Sequence, residues 1–405
     1  MSRIEPLPPY DVAVVGAGIV GLATAWQLLQ RRPGLSVCVL EQAPEVGTGQ
    51  SGHNSGVVHA GLYYRPGSLK GELCRRGRAQ LREFCDEHGL PYDERGKLVV
   101  ATTTDEFDRL PGLRDTAHAN GVRDAEVISA SAMRDLEPHV RGLGALWSPS
   151  TAIVDFPAVC RRLAESIVAA GSEVRLNAPV VGIERDVDDI TVRVEAGLPS
   201  VRARRVVLCT GLYADRTAVA AGGSQWPVIV PFRGEYHALS PRAAALSSRL
   251  IYPVPDPRYP FLGVHVTPMT SGRTFVGPNA VLALAREGYQ RRTVEERQLR
   301  ELAASKELRS FSRTHWRTGA FEVARSLSKR LYARSVRRYL PDVRVADLLP
   351  APAGVRAQAM RANGQLEDDF AIEEFDGIVA VRNAPSPAAT SSLAIGEHLA
   401  ELVLR

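Results

Sequence analysis

The hydrophobic pattern opens with a short β-branched run. Asp11-Val12-Ala13-Val14-Val15 ends directly in Gly16-Ala17-Gly18-Ile19-Val20-Gly21. A helical periodicity follows, with Leu22, Ala25, Trp26, Leu28 and Leu29 on one apolar face, until Pro33-Gly34 stops it. Ser36 to Glu41 then reads as a second strand, so the first forty residues predict a strand–helix–strand unit with an acid at its end. The same alternation returns later. Residues 156–171 predict a helix, the stretches 173–176, 179–185, 190–194 and 205–209 predict strands, 378–381 another strand and 389–404 a long helix. Segments of a different kind lie between them. Residues 96–104 and 228–239 read as strands, as do stretches across 250–279, where prolines at 253, 255, 257, 260 and 268 suggest sheet edges. Residues 290–340 read as helical and arginine-rich, with Ala324, Leu327, Leu331, Val336 and Tyr339 on one face.

This arrangement predicts an α/β chain in which a Rossmann-like nucleotide domain is interleaved with an α+β domain on a mostly antiparallel sheet. The expected division is 1–95, 151–226 and 341–405 for the first domain, and 96–150 and 227–340 for the second. A length of 405 residues agrees with two domains. An apolar fraction of 45% and a charged fraction of 23% exclude disorder and fibrous classes. No apolar run reaches membrane-spanning length, and Met1 to Glu5 shows no secretory pattern. The five cysteines are scattered without a C-x-x-C pair, which argues against a disulfide framework or a metal site and fits a reducing cytoplasm. A net charge of +5 is too small to imply nucleic acid. All but Lys70, Lys97, Lys306 and Lys329 of the 50 basic residues are arginine.

The glycines carry the first chemical signal. Gly16 permits the tight turn, Gly18 lets a pyrophosphate approach the backbone, and Gly21 lets helix and strand pack closely. Ile19 and Val20 open the helix whose positive end would meet the phosphates, and Glu41 is placed to accept ribose hydroxyls. That acid disfavours a 2′-phosphate, hence NADP. The loop Gly47 to Gly56 is long, small and polar, as functional loops are. Thr210-Gly211, after the strand 205–209, suits close approach of a ligand at the carboxyl edge of a parallel sheet.

Longer strings narrow the reading. Ser51-Gly52-His53-Asn54-Ser55-Gly56-Val57-Val58-His59-Ala60-Gly61-Leu62-Tyr63-Tyr64, Pro66 to Cys74, Gly96-Lys97-Leu98, Pro231 to Tyr236, Tyr252 to Pro257, Val276 to Ala280, Gly354 to Gln358 and Asn383 to Ser392 are the carriers. On them the chain resembles FAD-dependent oxidoreductases of the D-amino-acid-oxidase structural family, and within it the L-2-hydroxyglutarate dehydrogenases/oxidases. Position 152 is Ala where that pattern has Gly.

The resemblance implies FAD as cofactor, 2-hydroxyglutarate as a dicarboxylate substrate, and oxygen or a membrane quinone as electron acceptor. It implies cofactor contacts at Gln42, Ser51, Asn54, Ser55, Val180, Gly354, Pro387, Ala388, Ala389 and Thr390 beside those named above. Oxidising an α-hydroxy acid needs a base. His59 is the first candidate and His265 the second. Two carboxylates call for planar cationic partners, and Arg233 and Arg356 lie in mostly apolar, glycine-containing strings. Tyr63, Tyr64 and Tyr252 offer hydroxyl donors, and Lys70 either reaches the pocket or caps its helix. Asn383 to Thr390 is expected to lead a helix N-terminus, with its positive end, toward the flavin pyrimidine.

Three alternatives stay open at this point. An amine or amino-acid oxidase of glycine or sarcosine type uses the same scaffold. A flavin-binding adaptor without turnover would use the basic 290–340 stretch. That stretch also leaves a peripheral contact with the inner face of a membrane open, against a plain solvated helix.

Overall fold

A computed structural model describes residues 8–195, 197–256 and 263–405. Pro257 and Pro260, and the N-terminal residues Met1 to Glu5, lie outside the described residues. The chain forms two units. The first comprises Met1–Gly52, Phe156–Ile229 and Glu367–Arg405, and the second His53–Asp155 and Val230–Leu366. Against the division expected from sequence, residues 53–95, 151–155 and 341–366 lie with the second unit and residues 227–229 with the first. The strand Val57–Val58 shows why: it pairs with Ala152–Val154, far along the chain.

The first unit is built on an eight-stranded sheet. Along its path run Val180–Arg185, Ile190–Val194, Val201–Leu208, Tyr10–Val15, Val37–Leu40 and Glu173–Arg175, with Ile378–Asn383 beside Val201–Leu208 and Ala371–Phe375 beyond it. Tyr10–Val15 is parallel to both of its neighbours. Its residues Val12 to Val15 are all buried, the continuous apolar run that a covered parallel strand requires. Val15, Leu40 and Leu208 pair in register, so the turns after these three strands emerge at one edge. The helix Ile19–Arg31 lies against Ser392–Leu404, where Gly396 permits a close approach: a Cβ there would sit 2.6 Å from the Ala23 carbonyl carbon.

The second unit has a larger sheet in the order Leu348–Pro350, His237–Leu239, Thr274–Gly277, His265–Pro268, Leu250–Pro253, Lys97–Ala101, Gly144–Ser148 and Glu126–Ser129. Every pairing is antiparallel except that of Leu250–Pro253 with Lys97–Ala101. Period-two alternation gives this sheet two characters. Leu98, Val100, Ile251, Val266 and Val276 point into a core completed by Tyr332 and Val336 of the helix Lys329–Arg337. Lys97, Tyr252, His265 and Thr267 alternate with them and face the other way.

Two expectations are corrected here. Pro253 and Pro268 end interior strands rather than marking edges, because a terminal residue costs the ladder only its last bond. The 290–340 stretch is broken into Glu296–Ala304, Lys306–Leu327, which is itself kinked at the non-helical His315 (φ −112°, ψ 15°), and Lys329–Arg337, not one amphipathic face. Ser328 breaks it: the residue is extended (φ −126°, ψ 105°) and its hydroxyl accepts from Leu331 N. Leu327 is therefore 72% exposed while Val336 and Tyr339 are buried.

Candidate active site

The glycine turn of the first unit separates backbone demands from open space. Gly16 has φ +104°, and a Cβ there would stand 2.4 Å from the Cys209 carbonyl oxygen. A Cβ on Gly21 would stand 2.0 Å from the Gly16 oxygen. Both positions must be glycine for the fold to close. Gly18 is different: its φ of −71° is ordinary, and a Cβ would touch only the Ser51 Oγ, at 3.4 Å. Glycine at 18 leaves a cradle that the protein itself does not fill, as a pyrophosphate at a helix N-terminus requires.

The surrounding groups fit FAD. Glu41 accepts from Ala17 N at 2.7 Å and, through its other oxygen, from Ala43 N at 3.0 Å. Each carboxylate oxygen retains acceptor capacity for a ribose hydroxyl. Ser51 Oγ accepts from Ile19 N at 2.9 Å, tying the polar loop to the first turn of the helix. Val20 follows in that turn, and Gln42 follows Glu41. Thr210 and Gly211 follow the Val201–Leu208 strand, after Cys209, at the same sheet edge. Thr210 Oγ1 lies 2.5 Å from Thr217 Oγ1, and Gly211 has φ +49°. Val180 starts its strand and packs on the core of this unit. Ahead of the last helix, Ala388 N donates to Pro385 O and Ser391 N to Pro387 O, so Pro387, Ala388, Ala389 and Thr390 form tight turns. Ser391 Oγ and Ser392 Oγ are buried there without a partner, as is Asn383 Oδ1. The Asn383 amide donates to the Glu367 and Asp369 carbonyls.

Within the second unit a separate polar cluster forms on the outward face of the large sheet. Lys97 pairs in parallel register with Leu250, which puts Lys97 and Tyr252 on one face. Ile251 opposes Val266, so Tyr252 opposes His265, and their rings stack at 3.9 Å and 16°. Lys97 Nζ lies 4.5 Å from the Tyr252 ring centroid and 5.3 Å from that of Tyr63. His265 Nδ1 donates to the Gly263 carbonyl at 3.0 Å, which leaves Nε2 as an acceptor. Burial lowers His265 to about 3, with Arg356 and Lys97 adding to the effect, so its ring is neutral at physiological pH. Burial likewise depresses His59, followed by the Lys97 cation and His265. Burial also pulls Arg356 below its ordinary value, while Tyr236 and Glu322 act in the opposite direction. The Tyr63 hydroxyl is buried without a partner, and the buried Tyr252 and Thr267 hydroxyls have only each other close by.

The structure therefore gathers His59, Tyr63, Tyr252, His265 and Arg356 around one cluster. It sets two other candidates apart. Arg233 lies on the strand Val228–Gly234, beside the strand that carries Arg356, but its Nη2 is paired with Glu235 at 3.1 Å. Tyr64 lies under Lys70 Nζ at 5.6 Å, and Lys70 is buried. Asn54 Oδ1 closes its own turn by accepting from Gly56 N, with Ser55 between them. Gly354 allows a backbone crossing, since a Cβ would stand 2.4 Å from the His53 oxygen.

Comparison with known proteins decides the family. The model of the FAD dependent oxidoreductase family, DAO, matches residues 11–402. The chain belongs to that family. FAD is its cofactor, and the nucleotide edge of the first unit has the residues to hold it. Among its relatives, this flavoprotein is 45% identical to the mitochondrial L-2-hydroxyglutarate dehydrogenase of Caenorhabditis elegans, over 97% of the chain and 93% of the relative. It is 41% identical to the L-2-hydroxyglutarate dehydrogenase of Escherichia coli K12, over 97% and 93%. Its fold matches the FAD-bound L-alpha-glycerophosphate oxidase of Mycoplasma pneumoniae with a TM-score of 0.81 at 22% identity, covering 98% of this chain and 96% of the other.

Sequence reasoning did not single out Lys97. Two signals pointed to it. It is one of four lysines in an arginine-dominated chain, and it sits alone in the otherwise apolar run Lys97–Ala101, every residue of which is buried.

Proposed function

We propose that the protein oxidises L-2-hydroxyglutarate to 2-oxoglutarate with FAD as the oxidant. The observation that carries this reading is the 45% identity, over nearly the whole chain, to a protein named for that activity. The cationic cluster of the second unit supports it, since a small dicarboxylate needs cations and hydroxyl donors and finds both there. FAD, when bound, supplies the two-electron acceptor for the hydride leaving C2.

The chain's own residues bind and orient the substrate and take its hydroxyl proton. His59 is the base: it is half-buried beside Lys97 and His265, and its depressed proton affinity keeps it neutral and able to accept. His265 has a different role, because its ring is held on two sides. Stacked on Tyr252 and bonded to Gly263, it orients the tyrosine ring. Arg356 holds one carboxylate, and the hydroxyls of Tyr63 and Tyr252 are donors toward substrate oxygens.

The electron acceptor belongs to the same proposal. Among the described residues no helix is long and apolar enough to cross a membrane. Beyond the kink at His315, the helix Lys306–Leu327 exposes Trp316, Phe321, Val323 and Leu327 alongside Arg317. That surface suits peripheral contact with an anionic membrane and delivery of electrons to a quinone. Flotation with anionic vesicles checks it.

Anaerobic titration of the yellow holoenzyme tests the activity. L-2-Hydroxyglutarate is expected to bleach the flavin and yield stoichiometric 2-oxoglutarate. Bleaching by glycine or sarcosine instead would transfer the protein to the amine oxidases.

A further inference from the structure

Lys97 is a buried cation whose contacts do not include an anion. Its side chain is 1% exposed. Among the described residues it has no ion pair and no hydrogen bond, only the faces of Tyr63 and Tyr252. Ring faces attract an ammonium but do not replace the hydrogen bonds that it loses on leaving water. Arg233, the expected second carboxylate partner, is already paired with Glu235. Lys97 occupies the same sheet face as Tyr252 and His265, and Arg356 acts on both of those residues.

We propose that Lys97, and not Arg233, is the second carboxylate-binding cation, so that a dicarboxylate is held between Lys97 and Arg356 and its binding draws a proton onto Lys97. This rests on the dicarboxylate reading of the site. An arginine would serve as a permanent charge, whereas lysine is the basic side chain that releases its proton when buried without a partner. Burial brings Lys97 from 10.5 down to about 7. The groups facing it do not titrate there. Cys74, on the helix Leu69–Glu87, is pushed up to about 12, Tyr63 and Tyr252 are raised, and His59 and His265 are lowered. A bound carboxylate favours the ammonium, so the complex holds a proton that the free protein above pH 7 has lost. Affinity then falls about tenfold per pH unit above pH 7.

The test uses holoenzyme and glutarate, a dicarboxylate without the oxidisable hydroxyl, with binding read from the flavin spectrum and proton uptake from calorimetry in two buffers. Wild type is expected to take up close to one proton at pH 8.5 and to lose affinity with rising pH. Lys97→Met is expected to weaken glutarate about 10- to 150-fold at pH 6.5, the worth of a charge-assisted hydrogen bond. Lys97→Arg is expected to bind glutarate with no pH slope between 7 and 9. A slope that survives in Lys97→Arg places the proton elsewhere, His59 first, and overturns the proposal. So does a Lys97→Met protein that binds glutarate normally but reduces its flavin slowly, since that result makes Lys97 a base. If wild type is not reduced by L-2-hydroxyglutarate, the activity reading itself has failed, which none of the binding results can imitate.

Discussion

Removing the Lys97 charge should make the ligand-free protein more stable, and only at the right pH. Lys97 is buried beneath two tyrosine rings, and burial shifts it from 10.5 to about 7. At about 1.4 kcal/mol per pH unit, the folded state disfavours the ammonium by about 5 kcal/mol relative to the unfolded chain. Below pH 7 the lysine is protonated in both states and the whole penalty is present. Between 7 and 10.5 the unfolded chain binds a proton that the folded protein does not, so the penalty shrinks as pH rises. Methionine keeps the length and apolar stem of lysine without the charge. Lys97→Met should therefore raise the unfolding free energy by about 5 kcal/mol at pH 6, by about 2 kcal/mol at pH 9, and by nothing above the normal lysine range. Urea unfolding of the holoenzyme at pH 6, 7.5 and 9 without dicarboxylate, followed by far-UV circular dichroism, measures this. A variant less stable than wild type at pH 6, or a gain equal at all three pH values, would refute the argument.

Three further changes probe the other parts. Gly18→Val should fold, since its φ is ordinary and its Cβ direction open, yet purify without flavin; full flavin content per protein, measured by absorbance, would contradict the cradle. His59→Ala should retain flavin while anaerobic reduction slows by about 10²–10⁴ in stopped flow. An unchanged rate constant at saturating substrate would take the proton transfer away from His59. Arg356→Ala should raise the Kd for 2-hydroxyglutarate about 10- to 150-fold, whereas Arg233→Ala should spare the Kd and lower stability by about 1–3 kcal/mol, because it removes a charged partner of Glu235. Ligand titration and urea unfolding of both variants distinguish the two roles.

What could be read from the chain, and what could not, follows from the range of the contacts involved. The turn Gly16 to Gly21 and the acid Glu41 form within one local strand–helix–strand unit, and their geometry matches their spacing. His59, Tyr63, Tyr252, His265 and Arg356 come together although they are spread over three hundred residues, and motif resemblance found them where periodicity had no means to. The role of Lys97 depends on a parallel register with Leu250 that no local pattern encodes. Arg233 looked free because its partner, two residues on, is also held by Arg291 and Asn279 in a network visible only after folding. The break at Ser328 carries a serine cap signal, which the run of arginines around it masked.

The placement of Ile378–Asn383 has a consequence for how the protein is made. Val206, Val207 and Leu208 pair in parallel with Ile378, Val379 and Ala380, strands that the ribosome supplies far apart in time. At translation speeds of roughly 5–20 residues per second, the upper half of the Val201–Leu208 strand waits on the order of 10 s for its partner. Throughout that interval a row of valine and leucine stands at an unprotected strand border, in a nascent chain whose second unit is being synthesised in between. Chaperone demand during expression should concentrate on this window, and a chain arrested shortly before residue 378 should aggregate more readily than one released just after residue 383.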